Sequence, residues 1–239
     1  MLEEAVFISG AGQRIGLHLA KRFVQQGTFP VVFTYRTRHA AVDELESLGA
    51  TGIQVDFSED RSVEELLALM EMEVKSLRAV IHNASLWAND AMIEKEPSLY
   101  ADMFRLHVEV PYRLNLALQP YLKSARSPLK DIISLSDSSA AHSNGDYAAY
   151  LASKAALQAM GRNFAQKFAP DIKVNDIAPG LILFHSDDSE AYKQRRLAHS
   201  SLGVEPGPDV IWQAVQYLMN SPYTTGVSLP VDGGRRSPL

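Results

Sequence analysis

A tyrosine, a lysine and an aspartate occur in the stretch from Ser136 to Lys154, and their types and spacing suit proton transfer. Tyr150 and Lys154 are four residues apart, so on a helix they lie on one face, one turn apart. An ammonium beside a phenol favours the phenolate and lowers the phenol pKa from about 10. We therefore expect Tyr150 to exchange protons near neutral pH, although such a pair also occurs by chance on helix surfaces.

Asp137 adds a carboxyl to this pair. It lies thirteen residues before Tyr150 and follows the apolar run Ile-Ile-Ser-Leu at 132–135, which predicts a buried strand. A carboxyl at the end of a strand can face the phenol of a neighbouring helix. The three residues form a catalytic group only if the rest of the fold brings them together.

The composition indicates a globular protein that acts on small molecules. The chain has 239 residues, 46% of them hydrophobic and 21% charged, and its formal net charge of −5 gives no footprint for nucleic acid or an anionic membrane. The absence of cysteine excludes disulfides and thiolate-bound metals, and we expect no metal site. The acidic start lacks a signal-peptide pattern and no apolar run approaches eighteen residues, so we expect a cytoplasmic protein.

Strand and helix patterns alternate along the chain. Apolar runs predict strands at residues 5–9, 31–35, 52–56, 78–83, 130–135, 172–177 and 226–230. The longest helical region runs from about 98 to 123, with Pro111 inside it as a kink or interruption. This alternation predicts a single-domain α/β Rossmann fold over 1–239, a doubly wound parallel sheet of about seven strands with helices on both faces. Residues 181–203 lack clear periodicity and are expected to form a substrate loop.

A glycine turn follows the first strand and opens a helix. Gly10, Gly12 and Gly16 would let the backbone approach a pyrophosphate, whose charge the helix N-terminus then meets. A set of glycines is also found in ordinary tight turns. Arg14 stands in the first turn of that helix, where a cation opposes the helix dipole. It is either a solvated arginine or the partner of an anion, a cofactor phosphate or an electron-rich substrate ring.

The end of the second strand predicts the choice of nicotinamide cofactor. A fold specific for NAD usually carries an acid there, about twenty residues beyond the glycines. Here Arg36 and Thr37 occupy that place, and no acid occurs before Asp43. Since an arginine can bind a 2′-phosphate through two hydrogen bonds, we expect NADPH rather than NADH. Asp56, at the end of the third strand, is expected to reach the adenine amino group.

With these pieces in place, the chain resembles the short-chain dehydrogenase/reductase family over essentially its whole length. The motifs are the glycine turn, Asn83-Ala84, Tyr150-x-x-x-Lys154, Asn175-x-x-x-Pro179-Gly180 and Asp232-Gly233-Gly234. The resemblance implies that Tyr150 is the general acid and that Lys154 lowers its pKa and binds the nicotinamide ribose. The cofactor residues expected from the motifs and the resemblance are Gly10, Gly12, Arg14, Ile15, Gly16, Arg36, Thr37, Asp56, Phe57, Asn83, Ala84, Ser85, Tyr150, Lys154, Pro179, Gly180 and Ile182.

Three departures from the family pattern narrow the resemblance. Most members carry glycine at the place of Arg14, serine at that of Asp137 and asparagine at that of His107. The first two substitutions resemble the pteridine reductase branch, where the arginine and an aromatic residue, here Trp87, are implied to bind the pterin. Trp87 also fits a place in the core. His107 either holds a water beside Lys154 or simply fills space.

Closer similarity is to bacterial members of that branch, which reduce dihydromonapterin with NADPH and also act on dihydrofolate. The residues that carry it are Tyr35-Arg36-Thr37, His82-Asn83-Ala84-Ser85, His107, and Ala178-Pro179 followed by Leu181-Ile182-Leu183-Phe184. Reduction of a ring C=N needs a hydride on carbon and a proton on nitrogen, which Asp137 and Tyr150 can supply or relay. The usual serine would only polarise a carbonyl. The implied catalytic residues are Asp137, Tyr150 and Lys154, and the implied substrate-binding residues are Arg14, Ser85, Trp87, Asp137, Tyr150 and Leu181.

Two other functions stay open from the sequence. One is a general NADPH-dependent carbonyl reductase of the same family, and the other is a catalytically silent NADPH-binding regulator. The family implies a homo-oligomer, a dimer or tetramer built through the two long helices. Arg235 and Arg236 either reach a neighbouring subunit or form a solvated tail.

Overall fold

The computed structural model describes residues 1–142 and 144–235 and contains a sheet of seven strands in the order β3-β2-β1-β4-β5-β6-β7. Every neighbouring pair is parallel. The strands are β1 (Ala5–Ser9), β2 (Val31–Tyr35), β3 (Thr51–Gln54), β4 (Leu77–His82), β5 (Asp131–Leu135), β6 (Lys173–Pro179) and β7 (Ser228–Val231). The predicted doubly wound Rossmann fold is confirmed.

Helices cover both faces of this sheet. They are α1 (Arg14–Gln26), α2 (Ala40–Ser47), α3 (Ser62–Glu73), α4 (Asp90–Lys95), α5 (Ser98–Phe104), α6 (Val110–Lys123), α7 (Ala148–Phe168), α8 (Glu190–Leu197) and α9 (Asp209–Asn220). The chain leaves β1 towards β2 and β3, then returns to add β4 on the other side of β1. Ligands bind in open parallel sheets at such a reversal, outside the carboxyl ends of the strands.

Each face of the sheet carries its own apolar core. Side chains alternate along β1, so Ile8 packs with Phe23 of α1 and Trp212 of α9, while Phe7 packs on the opposite face with Leu114 of α6. Burial of each such side chain stabilises the fold by roughly 1.5–3 kcal/mol. The two cores fix the strands, and the strand ends then fix the site.

The predicted long helix at 98–123 is interrupted as expected, by a π-helical segment at Arg105–Glu109 between α5 and α6. The Val110 amide donates to the Arg105 carbonyl, five residues back. Pro111 follows directly and has no N–H with which to continue the α-helical ladder, so the chain widens in the turn before it. The π segment carries His107 towards the sheet.

The segment 181–203 contains a helix, α8, which the sequence did not indicate. None of the α8 side chains is buried, so there is no apolar periodicity from which it could have been predicted. Its first turn is capped by the Ser189 hydroxyl, which accepts the Tyr192 amide. The boundaries of β3 and β6 also differ from prediction, because β3 ends at Gln54 and β6 continues to Pro179.

Across the described residues, every helix is too short or too polar to cross a bilayer. The same residues contain no group of three histidines or acids arranged to hold a metal ion.

Candidate active site

Asp137 and Tyr150 meet at the carboxyl end of β5. The Tyr150 hydroxyl donates to Asp137 Oδ2 at 3.1 Å, and Asp137 Oδ1 accepts the Ser139 amide at 2.7 Å. The second contact caps a short 3₁₀ turn that begins at Ser138. Both carboxylate oxygens are therefore held, one by backbone and one by the phenol, and the rigid turn fixes the acid opposite the tyrosine.

Lys154 lies one turn after Tyr150 on α7 and is buried. Its ammonium donates to the Leu135 carbonyl at 3.1 Å and lies 5.9 Å from the centre of the Tyr150 ring. Burial lowers the pKa of Lys154 to about 8, against the opposing charges of Asp137 and Asp176. The lysine is thus anchored to the end of β5 rather than to the phenol oxygen.

The expected low pKa of Tyr150 is wrong for this arrangement. Burial raises the pKa of Tyr150 well above 10, and the charge of Asp137 and its hydrogen bond with the phenol raise it further. The ammonium of Lys154, expected to lower this pKa, lies beside the ring, whereas the Asp137 carboxylate contacts the hydroxyl itself. The phenol is consequently neutral and is held as a proton donor aimed at a carboxylate.

His107 joins the tyrosine helix to the loop that follows β4. Its Nε2 accepts the Leu86 amide at 3.3 Å and lies 2.9 Å from the Ser85 hydroxyl, so the proton is assigned to Nδ1. Nδ1 lies 2.8 Å from the Ser153 hydroxyl, which in turn donates to the Tyr150 carbonyl at 2.7 Å. Burial lowers the pKa of His107 to about 2, so the ring is neutral. It is a hydrogen-bonding link, not a space filler.

The glycine turn packs directly on the turn after β4. A Cβ on Gly10 would lie 2.7 Å from Ala84 Cα, and one on Gly16 would lie 2.3 Å from Asn83 Nδ2. The side-chain amide of Asn83 donates to the Ser9 and Gly10 carbonyls at 3.1 and 2.7 Å. Ser9 Oγ accepts hydrogen bonds from the backbone amides of Asn83 and Ala84, a role that nothing in the sequence indicated. The side chain of Asn83 is therefore committed to shaping the turn.

A cavity of about 590 Å³ opens beside this turn, at the ends of β1 to β4. The predicted cofactor residues in its wall are Gly10, Gly12, Arg36, Thr37, Asp56, Phe57, Ala84 and Ser85. The wall also contains residues that were not predicted, among them Leu86, Leu99 and Leu106 and the acids Glu96 and Asp102. Asp137, Tyr150 and Lys154 lie outside its wall, so the cavity covers the half of the site expected to hold the adenosine.

The two arginines after β2 have different partners. Arg38 donates to the Tyr35 hydroxyl at 2.9 Å and forms ion pairs with Asp43 and Glu46, which raise its pKa. Arg36 is exposed in the cavity wall, and its guanidinium forms no hydrogen bond or ion pair with any residue that the structure describes. Arg36 is therefore the cation that remains available to an anionic ligand.

Asp56 lies at the same end of the cavity. Its Oδ1 accepts the amide and the hydroxyl of Ser58, at 3.0 and 2.8 Å. Burial raises the pKa of Asp56, but these hydrogen bonds and the charge of Arg36 outweigh it, and the net shift is downward. Phe57 beside it is buried in the core and contributes an apolar wall.

Arg14 has a left-handed backbone conformation, with φ of 52°. Only glycine adopts this region without cost, which agrees with the glycine that the family resemblance implies at this place. The guanidinium crosses to the segment after β6, where Nη2 donates to the Leu183 carbonyl at 3.1 Å and Nη1 lies 3.1 Å from His185 Nδ1. A strained arginine at this place indicates a function for its side chain.

The residues after β6 line up against the end of β7. The Gly180 amide donates to the Val231 carbonyl at 2.9 Å, and a Cβ on Gly180 would lie 2.8 Å from Asp232 Cα. Ile182 is buried in the core and its carbonyl accepts the Gly207 amide at 3.0 Å. The remaining predicted residues here are Pro179, which is buried, and Leu181, which is half-buried; Ile15 on α1 is also half-buried.

Trp87 is 52% exposed and so is not a core residue. Its ring centre lies 5.6 Å from that of Tyr147, at an angle of 44°. Tyr147, which the sequence did not indicate, stands just before α7 and close to Tyr150. The pair forms an aromatic surface beside the proton donor, in which Trp87 is exposed and Tyr147 is half-buried against Tyr150.

Of the two C-terminal arginines, Arg235 forms a β-bridge with Ser200, and its amide lies 3.3 Å from Asp232 Oδ1. Arg236 lies outside the described residues.

Comparison with known proteins agrees with this geometry. A family model described as "Enoyl-(Acyl carrier protein) reductase" matches residues 10–236. A protein named dihydromonapterin reductase from Klebsiella pneumoniae subsp. pneumoniae is 42% identical over 230 residues, which cover 96% of this chain and 95% of that protein. A protein of the same name from Enterobacter sp. is 40% identical over 233 residues, covering 98% and 97%.

Solved structures share the fold. FolM alternative dihydrofolate reductase 1 from Brucella suis in complex with NADP has a TM-score of 0.85 at 24% identity, covering 97% of this chain and 94% of that one. A 4-hydroxyisoleucine dehydrogenase complexed with NADH has a TM-score of 0.87 at 22% identity, covering 97% and 98%. Since its relatives match it at this level along nearly all of their length, the chain belongs to the short-chain dehydrogenase/reductase family and is an oxidoreductase.

Proposed function

We propose that this protein is an NADPH-dependent dihydropterin reductase, which converts 7,8-dihydromonapterin to tetrahydromonapterin and accepts dihydrofolate as a second substrate. The observation that carries the proposal is the contact of 3.1 Å between the Tyr150 hydroxyl and the Asp137 carboxylate. A serine at the place of Asp137 would suit a carbonyl. A carboxylate and a phenol that share a proton suit a ring nitrogen.

The residues at the sheet edge fit NADPH. Gly10 and Gly16 leave no room for a side chain beside the turn after β4, which keeps the backbone open to a pyrophosphate. Arg36 would hold the 2′-phosphate and Asp56 the adenine, while Lys154 would hold the nicotinamide ribose. When bound, NADPH supplies the hydride. The remaining cofactor residues would contribute backbone and apolar contacts along this path: Gly12, Ile15, Thr37, Phe57, Asn83, Ala84, Pro179, Gly180 and Ile182.

Asp137 and Tyr150 transfer the proton to the substrate. Tyr150 is neutral and donates its hydrogen to Asp137, so one proton lies between two oxygens at the end of β5. The pterin C=N bond takes up the hydride at carbon and this proton at nitrogen. Solvent then restores the proton to the pair. Lys154 keeps a positive charge next to the phenol ring while the proton leaves the Tyr150 hydroxyl.

The aromatic surface of Trp87 and Tyr147 suits a flat heterocycle. A pterin stacked on Trp87, beside Tyr147, would gain roughly 0.5–1.5 kcal/mol beyond the burial of its area. Arg14 and Ser85 would bind its polar edge, and Leu181 would lie against its side chain. The contacts of Arg14 with Leu183 and His185 support a substrate role for the segment 181–203.

The relatives support the choice of substrate, because proteins of 40% and 42% identity over nearly the whole chain bear the name dihydromonapterin reductase. The NADP bound to FolM alternative dihydrofolate reductase 1 from Brucella suis supports the cofactor, and the name of that protein supports the second substrate. The aspartate in place of a serine at position 137 argues against a general carbonyl reductase. The hydrogen-bonded Tyr150–Asp137 pair, with the buried Lys154 beside it, argues against a silent regulator.

The test is a spectrophotometric assay of NADPH oxidation with dihydromonapterin, dihydrobiopterin and dihydrofolate, alongside a panel of ketones and sugars. We expect turnover with the dihydropterins, fastest with dihydromonapterin, and little with the carbonyl panel. Turnover confined to carbonyl compounds would favour the carbonyl reductase. No oxidation with any substrate, together with tight NADPH binding, would favour the regulator.

We also propose a homo-oligomer built through α6 and α7. Tyr112 and Leu116 are 50% and 38% exposed on α6, one turn apart, and a partner helix would cover them. Light scattering of the purified protein tests this, and a monomer at micromolar concentration would contradict it.

A further inference from the structure

A second carboxyl, Asp176 on β6, lies behind the proposed site on the side of α7. It is 3% exposed, and its Oδ2 accepts hydrogen bonds from the hydroxyls of Ser136 at 2.6 Å and Ser228 at 2.5 Å. Its Oδ1 is buried and has no hydrogen-bond partner among the described residues. A buried carboxylate with one unsatisfied oxygen is costly, so it points to a compensating charge nearby.

Asp176 is connected to the proposed proton donors through a short chain of polar groups. Ser136 directly precedes Asp137 in the sequence. Gln158, one turn beyond Lys154 on α7, donates to Ser136 Oγ at 2.9 Å and lies 3.5 Å from the Asp137 carbonyl. The Lys154 ammonium donates to the carbonyl of Leu135, the residue before Ser136, so Lys154 and Asp176 contact adjacent residues at the end of β5.

Asp176 and Lys154 also act on each other through their charges. Burial raises the pKa of Asp176 to about 6, although its two serine partners and the Lys154 charge oppose the rise. Burial lowers the pKa of Lys154, while the charges of Asp137 and Asp176 oppose the fall. Each of these two buried groups therefore keeps its charge partly because the other is charged.

We propose that Asp176 is a positioning residue of this site, whose buried carboxylate is a counter-charge that keeps the Lys154 ammonium protonated. Asp137 also faces the lysine, but its two oxygens are already committed to the Ser139 amide and the Tyr150 hydroxyl. Asp176 retains a free oxygen. Its importance for turnover rests on the proposed function; its effect on the charge of Lys154 does not.

Apart from Asp137, whose charge also favours the Lys154 ammonium, the groups around this pair are uncharged. His107, which faces Lys154 from the π segment, is neutral, as is Tyr150 on the helix of the lysine itself. Asp176 is met from β5 and β7 by the uncharged hydroxyls of Ser136 and Ser228. Lys154 is the cation that acts on it from α7.

The direct test is a nuclear magnetic resonance titration of the Lys154 ammonium in protein labelled with nitrogen-15 lysine, assigned by the loss of its signal in Lys154→Arg. In Asp176→Asn we expect the pKa of Lys154 to fall by about one unit, the lower limit for a nearby opposite charge. In the wild-type protein the Lys154 signal should show a second inflection near pH 6, as Asp176 titrates, and Asp176→Asn should abolish it. Asp209→Asn, which removes a half-exposed acid on α9, should leave the titration unchanged.

A second variant covers the case in which Asp176→Asn does not fold. Ser228→Ala keeps the carboxyl and removes one of its hydrogen bonds, so the inflection should move to higher pH. Two results would overturn the proposal. One is an unshifted Lys154 titration in folded Asp176→Asn. The other is a wild-type curve that lacks the inflection near pH 6 and that is the same in Ser228→Ala.

The pH profile of turnover separates this role from a structural one. The basic limb of kcat in Asp176→Asn should move to lower pH by the same shift that the Lys154 signal shows. A structural defect would lower kcat at every pH without moving the limb. A shifted titration without any dihydropterin turnover would overturn the proposed function alone, and normal turnover with an unshifted titration would overturn the role of Asp176 alone.

Discussion

Asp137 is held by two donors, the Ser139 amide and the Tyr150 hydroxyl. A side chain of similar shape at this position has little freedom to move, so replacing Asp137 tests its role in proton transfer. In Asp137→Asn and Tyr150→Phe we expect kcat with a dihydropterin to fall by about a hundredfold to ten-thousandfold, the usual contribution of a general acid. Binding of NADPH, followed by fluorescence, should change little. Undiminished turnover in both variants would contradict the mechanism.

Asp137→Ser is the matched control, because it installs the serine that the family resemblance implies at this place. We expect it to lose dihydropterin reduction as the Asn variant does, while any weak activity on ketones should rise. A serine variant that reduces dihydropterins at the wild-type rate would show that the carboxyl is dispensable.

Arg36 and Arg38 offer a paired test of cofactor choice. Loss of a charge-assisted hydrogen bond to phosphate weakens binding by about 1.5–3 kcal/mol, so Arg36→Ala should raise the Kd for NADPH roughly tenfold to a hundredfold. The Kd for NADH should not change. Arg38→Ala should leave the preference for NADPH intact, because its guanidinium is occupied by Tyr35, Asp43 and Glu46. Equal affinity of the wild-type protein for both cofactors would refute this assignment.

Arg14 combines backbone strain with an exposed cationic side chain. A non-glycine residue in the left-handed region costs about 1–2 kcal/mol, so Arg14→Gly should raise the free energy of unfolding by about that amount. The same change removes the contacts with Leu183 and His185, and it should raise KM for the dihydropterin. Urea unfolding and steady-state kinetics measure the two effects. A glycine variant that is less stable than the wild-type protein would show that the backbone of Arg14 is not strained.

The helices and strands that the sequence predicted well are those with apolar periodicity. β1, β2 and α9 match their predicted positions closely because each buries a regular pattern of side chains. α4 and α8 bury no side chain and so left no such pattern. Pro111 signalled an interruption, but its widening into a π segment depends on how α5 and α6 pack, which no local sequence pattern encodes.

The candidate site shows the same division. The residues that the motifs named lie at the predicted strand ends, whereas Ser9, Tyr147 and Ser153 participate through contacts between elements distant in sequence. The pKa of Tyr150 was mispredicted for the same reason. Spacing along the chain indicated both Lys154 and Asp137, but only the fold shows that the phenol is buried and that the carboxylate, not the ammonium, contacts its hydroxyl.

The close approach of α1 to the turn after β4 can be tested with two glycines. In Gly16→Ala the new methyl group would lie 2.3 Å from Asn83 Nδ2 and 2.4 Å from the Gly10 carbonyl, so the turn must open. We expect a loss of about 1–3 kcal/mol of stability and a large loss of NADPH affinity. The matched control is Gly161→Ala on α7, where the methyl group meets nothing within 4 Å outside its own helix.

Gly161→Ala should stabilise the protein by about 0.5–1 kcal/mol, because alanine favours a helix over glycine. Both effects are measurable by urea unfolding, with NADPH binding followed in parallel. Equal stability of the two alanine variants would argue against a tight contact at Gly16.

Buried histidines make the stability of the whole protein depend on pH. Burial lowers the pKa of His82 to about 4 and that of His107 to about 2, so both are neutral when folded. The unfolded chain binds their protons below about pH 6.5, so the stability they provide is present above that pH and is lost as the pH falls. Between pH 6.5 and 4, His82 alone accounts for about 3 kcal/mol.

Asp176 acts in the opposite direction. Its pKa is raised to about 6, so the folded state binds its proton more readily and gains stability as the pH falls through 6 towards 3.8. The two histidines outweigh it. We expect urea unfolding to show falling stability from pH 6.5 to 4, and a shallower fall in His82→Gln. A flat profile in the wild-type protein would contradict the neutral burial of the histidines.

The π segment has a consequence for how the chain can change in length. Each residue turns an α-helix by about 100°, and a π turn takes up one residue more than an α turn for the same advance. Removing a single residue between Arg105 and Glu109 would therefore restore a continuous α-helix and leave α5 and α6 in nearly the same relative orientation. The segment would then present one side chain fewer to the sheet, and deletion of His107 in particular would remove the hydrogen bonds with Ser153 and Ser85.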